Sequence, residues 1–163
     1  MKTFKRIFFV LVVILIIIQF IRPARNIGDV NPAYEITSAF AVPNNVQDIL
    51  RNSCYDCHSN NTRYPWYANI QPAAWFMNGH IKDGKRGLNF SEFATYSLRR
   101  QFHRFNDIIE NVNDGEMPLP SYLLIHTDAK LSTRQKDIIA AWANTAIDSM
   151  KAKYPADSLR SKK

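Results

Sequence analysis

The chain has two cysteines, Cys54 and Cys57, and His58 follows the second directly, in the stretch Cys54-Tyr55-Asp56-Cys57-His58. This spacing constrains the fold more than any other feature, because it holds two thiols and an imidazole within about one turn of backbone. A structural disulfide across a two-residue gap closes so short a loop that it restrains little of the unfolded chain. A redox pair of the thioredoxin kind needs a strand-to-helix setting in an α/β fold. Structural zinc needs four ligands, and the other histidines, His80, His103 and His126, lack paired spacing. Haem uses all three residues: each thiol forms a thioether with one vinyl group, and the histidine becomes an axial ligand of the iron. One covalently bound haem c is the leading reading, with a zinc site or a redox pair as the alternatives.

The N-terminus carries a second strong signal. The run from Ile7 to Ile18 is apolar without a break, Phe20 and Ile21 extend it, and Lys2, Lys5 and Arg6 precede it. From Phe4 to Ile21 a helix would span about 27 Å, close to a hydrocarbon core of about 30 Å. A cleaved signal peptide needs small residues soon after the run. Arg22, Pro23 and Ala24 make a poor site, and Ala39 to Ala41 lie too far downstream. An uncleaved single transmembrane helix in the cytoplasmic membrane is therefore expected, with the rest of the chain exported to the periplasm. The net charge of +7 belongs mostly to this end: the first 25 residues hold five basic groups and no acid. No long basic stripe remains elsewhere to suggest nucleic acid as a partner.

These signals divide the chain into an anchor (or signal peptide) at 1–25, a proline-punctuated linker at 26–43, a haem-binding domain at 44–150 and a polar tail at 151–163. The domain reads as helices joined by long loops. Asn44 or Asn45 caps a helix to about Cys54, with Val46, Ile49 and Leu50 on one face. A short helix is expected over Ala73–Ile81, with Gly84 and Gly87 breaking it. Ser91 starts a further turn of helix. Ser97 caps a helix with Phe102, Phe105, Ile108, Ile109 and Val112 at helical spacing. Ser132 and Gln135 form a capping box ahead of a stripe of Ile138, Ile139, Trp142, Ala146, Ile147 and Met150. No alternating strand pattern is present, so the class is all-α. So much loop in so short a domain implies a core completed by something other than side chains.

With His58 as one axial ligand, Met117 is the expected other, since it stands before Pro118 in the loop ahead of the last helix. Proline restricts the preceding residue to extended backbone, and methionine opposite histidine suits electron transfer. The same methionine would otherwise be a loop side chain filling a gap. His80 is the rival distal ligand. Tyr64, Trp66, Tyr67, Trp75 and Phe76 surround the attachment stretch in sequence and are expected to wall the porphyrin, Trp66 and Trp75 foremost. Trp142 is expected to pack beside the haem edge. Arg86 and Arg63 are candidates for the haem propionates, whereas His103, among Arg99, Arg100 and Arg104, reads as part of a solvated basic face.

The segments SCYDCHSNNTRYPWY, HIKDGKRGLNFSEF, GEMPLPSYLLIH and LSTRQKDIIAAW, taken together and in order, resemble the haem-binding domain family of exported bacterial proteins. That family is similar to the cytochrome c superfamily. The resemblance covers roughly residues 44 to 147. It implies a cytochrome c-like helical domain around a single haem at Cys54, Cys57 and His58, and it marks the His80 and Met117 segments as family features.

Two functions from different classes follow. One is a membrane-tethered electron carrier with both axial positions filled, serving redox partner proteins at the membrane. The other is a haem protein that senses or acts on a small ligand through an open sixth site. The sequence offers no distal acid–base pair of the peroxidase kind beyond a strained pairing of His80 with Glu92, so a carrier is expected rather than a catalyst. A zinc-stabilised interaction module is a third reading.

Overall fold

A computed structural model describes residues 1–159. Among these described residues nine α-helices follow one another: α1 (Lys2–Ile18), α2 (Ile36–Ala39), α3 (Asn44–Ser53), α4 (Tyr55–His58), α5 (Ala73–Gly87), α6 (Leu98–Asp114), α7 (Pro120–Leu123), α8 (Thr133–Lys153) and α9 (Ala156–Leu159). Short 3-10 turns cover Trp66–Asn69, Phe90–Thr95 and Thr127–Ala129. Among the described residues the β structure is one isolated bridge between Ile27 and Asn61. The all-α expectation is met.

The caps explain where the long helices start and stop. Ser97 accepts a hydrogen bond from the Arg100 amide and opens α6. Gly115 closes it in the left-handed region at φ 76°, a conformation that costs glycine no Cβ clash. Ser132 and Gln135 form the full reciprocal capping box of α8. At α3 the expectation needs a small correction: Pro43 holds the capping position, without a side-chain bond, and Asn44 is already helical.

The core lies between α3, α6 and α8. Phe105 sits at its centre, with Phe40 at 4.8 Å, Phe93 at 5.1 Å and Trp142 at 5.5 Å between ring centroids. Leu50, Val46, Ile139, Ala143 and Met150 close around these rings. A phenylalanine buried in such a cluster is worth several kcal/mol against truncation, about 3–5. The polypeptide thus has a core of its own, more than the sequence implied. Trp142 belongs to this core, where its indole donates to the Ala41 carbonyl at 3.1 Å.

The structure departs from expectation at the N-terminal helix, the linker, α5 and the C-terminal tail. Helix α1 is 17 residues long and ends at Ile18, not Ile21. At about 1.5 Å per residue that is about 26 Å, and among the described residues no helix is long and apolar enough to cross a membrane. No residue of α1 is buried. The stretch read as a linker does not stand away from the domain. The Asn26 amide donates to the Tyr64 hydroxyl at 2.6 Å, and its side chain to the Ser59 carbonyl and the Thr62 hydroxyl, both at 2.9 Å. Ile36 is wholly buried. Helix α5 runs through both glycines that were expected to break it. At the C-terminus, Leu159 of α9 packs into the core; residues 160–163 of the expected tail lie outside the described residues.

Candidate functional site

The attachment stretch forms at a sharp change of direction. The chain leaves α3 at Ser53, turns at Cys54, and makes the single turn α4, in which the His58 amide bonds back to the Cys54 carbonyl at 2.9 Å. Asp56, between the cysteines, turns away from solvent and anchors the turn. Its carboxylate accepts from the Arg63 Nε at 3.0 Å, the Arg63 amide at 3.2 Å and the Tyr122 hydroxyl at 2.8 Å. The Thr62 hydroxyl donates to its carbonyl at 2.7 Å. A buried carboxyl group is costly without hydrogen-bond partners, and these donors supply them.

Helix α5 packs directly on α4, and Gly84 is the reason it can. A Cβ built at Gly84 would stand 2.8 Å from the Cys57 carbonyl oxygen and 3.2 Å from the Cys57 Cβ. Just past the end of α5, the Leu88 carbonyl lies 2.9 Å from His58 Nδ1. The imidazole therefore carries its proton on Nδ1 and leaves Nε2 free, the arrangement that second-shell partners impose on metal-binding histidines. Burial lowers the His58 pKa, against the raising effect of the Leu88 and Gly84 backbone bonds, so the ring is neutral and able to ligate at neutral pH.

These groups open onto a cavity of about 370 Å³, within the usual range of cofactor sites, about 300–1,000 Å³. Cys54, Cys57, His58, His80 and Met117 all line it. Its apolar walls come from Leu50, Leu88, Phe90, Ile108, Val112, Leu119 and Ile139. The structure thus brings both thiols, the histidine and both candidate distal ligands to one space. It does not bring the other predicted site residues there. Trp66 is exposed on the surface. The Trp75 indole donates to the Ile21 carbonyl at 2.9 Å. Arg86 is in an exposed pair with Asp83 at 2.6 Å, and Arg63 is committed to Asp56. Tyr64 accepts from Asn26. Tyr67 and Phe76 line a smaller cavity of about 150 Å³ next door, which shares Asp56, Cys57, His80, Leu119 and Tyr122 with the first.

Sequence reasoning missed Arg104, which lines the cavity that holds the two thiols. Its Nη1 reaches Asp107 at 3.1 Å and the Gly87 carbonyl at 3.3 Å, while its Nε is buried with no partner. A guanidinium that is one-third exposed and has one buried, unsatisfied donor suits a carboxylate-bearing ligand. The signal was in the spacing: Arg104, Asp107, Ile108, Asn111 and Val112 stand at i, i+3, i+4, i+7 and i+8, which is one face of α6 and the one that lines the cavity.

The residues fit haem. Both thiols are unbonded, the histidine is neutral with one nitrogen free, the walls are apolar, and one guanidinium has a donor to spare. Tetrahedral zinc would need more ligands together, and no cluster of three or more His, Cys, Asp or Glu side chains is placed to hold a metal ion among the described residues.

Burial pushes the Cys54 thiol up to about 12 and the Cys57 thiol up to about 11, with neighbouring negative charge adding to each. Their folded pKa values are raised above the ordinary value of about 8.5. The haem-free chain therefore keeps two protons that the unfolded chain releases. That stability is present below about pH 8.5 and is lost as pH rises through the folded values. The urea midpoint of the haem-free chain is expected to fall between pH 8 and pH 10, and to fall less in Cys54→Ala/Cys57→Ala. Equal falls in the two proteins would show that the thiols carry none of the effect.

A family model described as a haem-binding domain matches residues 13–145. The match begins inside α1 and takes in the segment between α1 and α3, in keeping with the contacts that tie that segment down. No curated protein and no solved structure matches the chain. With most of its length under the family model, and with a cavity that joins two free thiols, a neutral histidine and an unsatisfied arginine, the chain belongs to the haem-binding domain family.

Proposed function

We propose that this chain is an exported single-haem protein that transfers one electron at a time. Cys54 and Cys57 would hold a haem through thioethers, and His58 and Met117 would ligate its iron. Iron held between imidazole and thioether supplies a reversible one-electron couple. The observation that carries this reading is the bond from His58 Nδ1 to the Leu88 carbonyl, which leaves Nε2 available in a cavity lined by both thiols and Met117. Arg104 supports the same reading as the partner of a haem carboxylate.

The roles of the other side chains follow from where they stand. Asp56 fixes the turn that presents the thiols. Tyr122, bonded to Asp56 from α7, ties the segment just after Met117 to that turn. The apolar walls keep water from the metal, which raises the potential of a buried haem. Helix α1, apolar and unpartnered within the domain, directs the chain to export and keeps it at the membrane, where redox proteins are its partners. Expression alongside the haem-attachment machinery tests the proposal. A haem-staining band is expected at 18.8 kDa on a denaturing gel of the membrane fraction. A folded protein whose haem is removed by denaturation would sink covalent attachment.

His80 lines both cavities and supplies the second reading, with histidine on both faces. Met117→Ala is expected to abolish the weak red-end absorption band of a methionine–iron bond, to lower the potential and to admit carbon monoxide. His80→Ala is expected to leave that band intact. A spectrum changed by His80→Ala alone would give the bis-histidine protein, and wild-type protein that already binds carbon monoxide would give the ligand-sensing one.

A further inference from the structure

Exposed apolar side chains of the domain gather beside the end of α1. Trp66 is 74% exposed, Phe76 60% and Ile125 62%. Trp66 meets the Tyr67 ring edge-on at 5.9 Å, and Tyr67, Phe76 and Ile125 line the smaller cavity together, so they share one face. Trp75 carries that face to α1, through the bond from its indole to the Ile21 carbonyl at 2.9 Å. Gln71 fastens the same join. Its amide donates to the Gln19 side-chain oxygen at 2.9 Å and its side chain to the Ile21 carbonyl at 2.8 Å. Arg25 adds a bond to the Asn69 side chain at 2.6 Å. No residue of α1 is buried, so one apolar surface runs from the helix onto the domain. A surface of this kind calls for cover.

Charge decides what the cover is. The chain has 14 acidic residues, yet none falls between Gln19 and Gly28 or between Ser59 and Lys82, whereas Arg22, Arg25 and Lys82 do, and all three are exposed. Indoles settle where acyl chains meet headgroups, and cations settle on anionic headgroups. A second copy of the chain would instead set the same cations against one another across a two-fold axis. Length agrees. Helix α1, at about 26 Å, falls short of a hydrocarbon core of about 30 Å, so a surface that continues it is drawn to the interface. We propose that this face of the domain rests on a lipid bilayer, with Trp66, Phe76 and Ile125 at the headgroup boundary and Arg22 and Arg25 on lipid phosphates. The inference rests on the reading of α1 as the segment that keeps the chain at the membrane. The Phe76 ring lies 4.4 Å from the His80 ring, and His80 lines the cavity of the two thiols. Contact with lipid therefore holds that cavity against the membrane surface.

The test uses the full chain in vesicles of phosphatidylcholine and phosphatidylglycerol, recovered by flotation. p-Benzoylphenylalanine, which inserts into neighbouring C–H bonds on illumination, replaces Trp66, Phe76 or Asn144 in three separate variants. Asn144 stands on the exposed side of α8, outside the patch. All three positions are exposed, so none of the replacements disturbs the core. Mass spectrometry is expected to find phospholipid joined to the chain in Trp66→p-benzoylphenylalanine and Phe76→p-benzoylphenylalanine, and none in Asn144→p-benzoylphenylalanine. Lipid missing at either patch position, a second copy of the chain captured in its place, or equal lipid capture at Asn144 overturns the docking face and leaves α1 at the membrane. A chain that stays out of the floated fraction overturns both.

Discussion

Cys54→Ala/Cys57→Ala, exported with the haem-attachment machinery, is expected to carry no haem after denaturation while remaining a folded helical protein. The first half follows from chemistry, since no other thiol exists in the chain to form a thioether. The second half follows from the core. Phe40, Phe93, Phe105 and Trp142 pack against one another away from the cavity, so α3, α6 and α8 stay together without the cofactor. Cysteine to alanine removes only a sulfur from each site, a small loss of packing. The single variants are expected to keep haem through one thioether at reduced yield. Haem content is read from the denatured protein, and fold from far-ultraviolet circular dichroism. A double variant that still holds haem after denaturation would refute the attachment. One that is unfolded would show the haem to be an obligatory part of the core.

Gly84→Ala is expected to destabilise the protein and lower its haem content, although alanine is the better helix former. In a helix interior glycine to alanine gains about 1 kcal/mol. At Gly84 the new Cβ meets the Cys57 carbonyl oxygen at 2.8 Å, and a backbone atom inside the attachment turn cannot swing aside as a side-chain end can. Overpacking of this kind costs about 1–3 kcal/mol, so the clash outweighs the propensity. Relief requires α5 to move off α4, which also stretches the bond from His58 to the Leu88 carbonyl. Gly79, in the same helix, has nothing within 4 Å of a built Cβ, so Gly79→Ala is expected to stabilise by up to about 1 kcal/mol. Opposite shifts of the two denaturation midpoints are the result to look for. Two stabilised variants would mean that α5 and α4 are not in close contact.

These glycines show what a sequence hides. Gly84 and Gly87 resemble helix breakers when only local preference is read. The space that Gly84 spares lies 27 residues back along the chain, at Cys57, and no periodicity reports it. The starts of α6 and α8 were legible because their signals are local: a serine and a glutamine three residues apart fix the α8 cap whatever surrounds it. That Cys54, Cys57, His58 and Met117 share one cavity was legible because a single ligand chemistry calls for those residue types together. Trp66, Trp75 and Arg86 were misplaced because nearness in sequence stood in for nearness in space. Arg104 was passed over for the opposite reason, since its charge among other basic residues outweighed its position on the Ile108–Val112 face.

The binding of residues 26–28 to residues 59–62 sets how far the cavity can travel. Eighteen residues of free chain between α1 and the domain would let it roam about 23 Å in root-mean-square reach and seek out its collisions. Here the Asn26 side chain, the Gly28 amide bonded to the Asn60 carbonyl at 3.0 Å, and the Asn26 carbonyl accepting from the Thr62 amide at 3.0 Å hold that segment immediately beside His58. The slack is gone. Whatever fixes the end of α1 in place therefore also fixes the cavity, and the two move as neighbours rather than as a ball on a string.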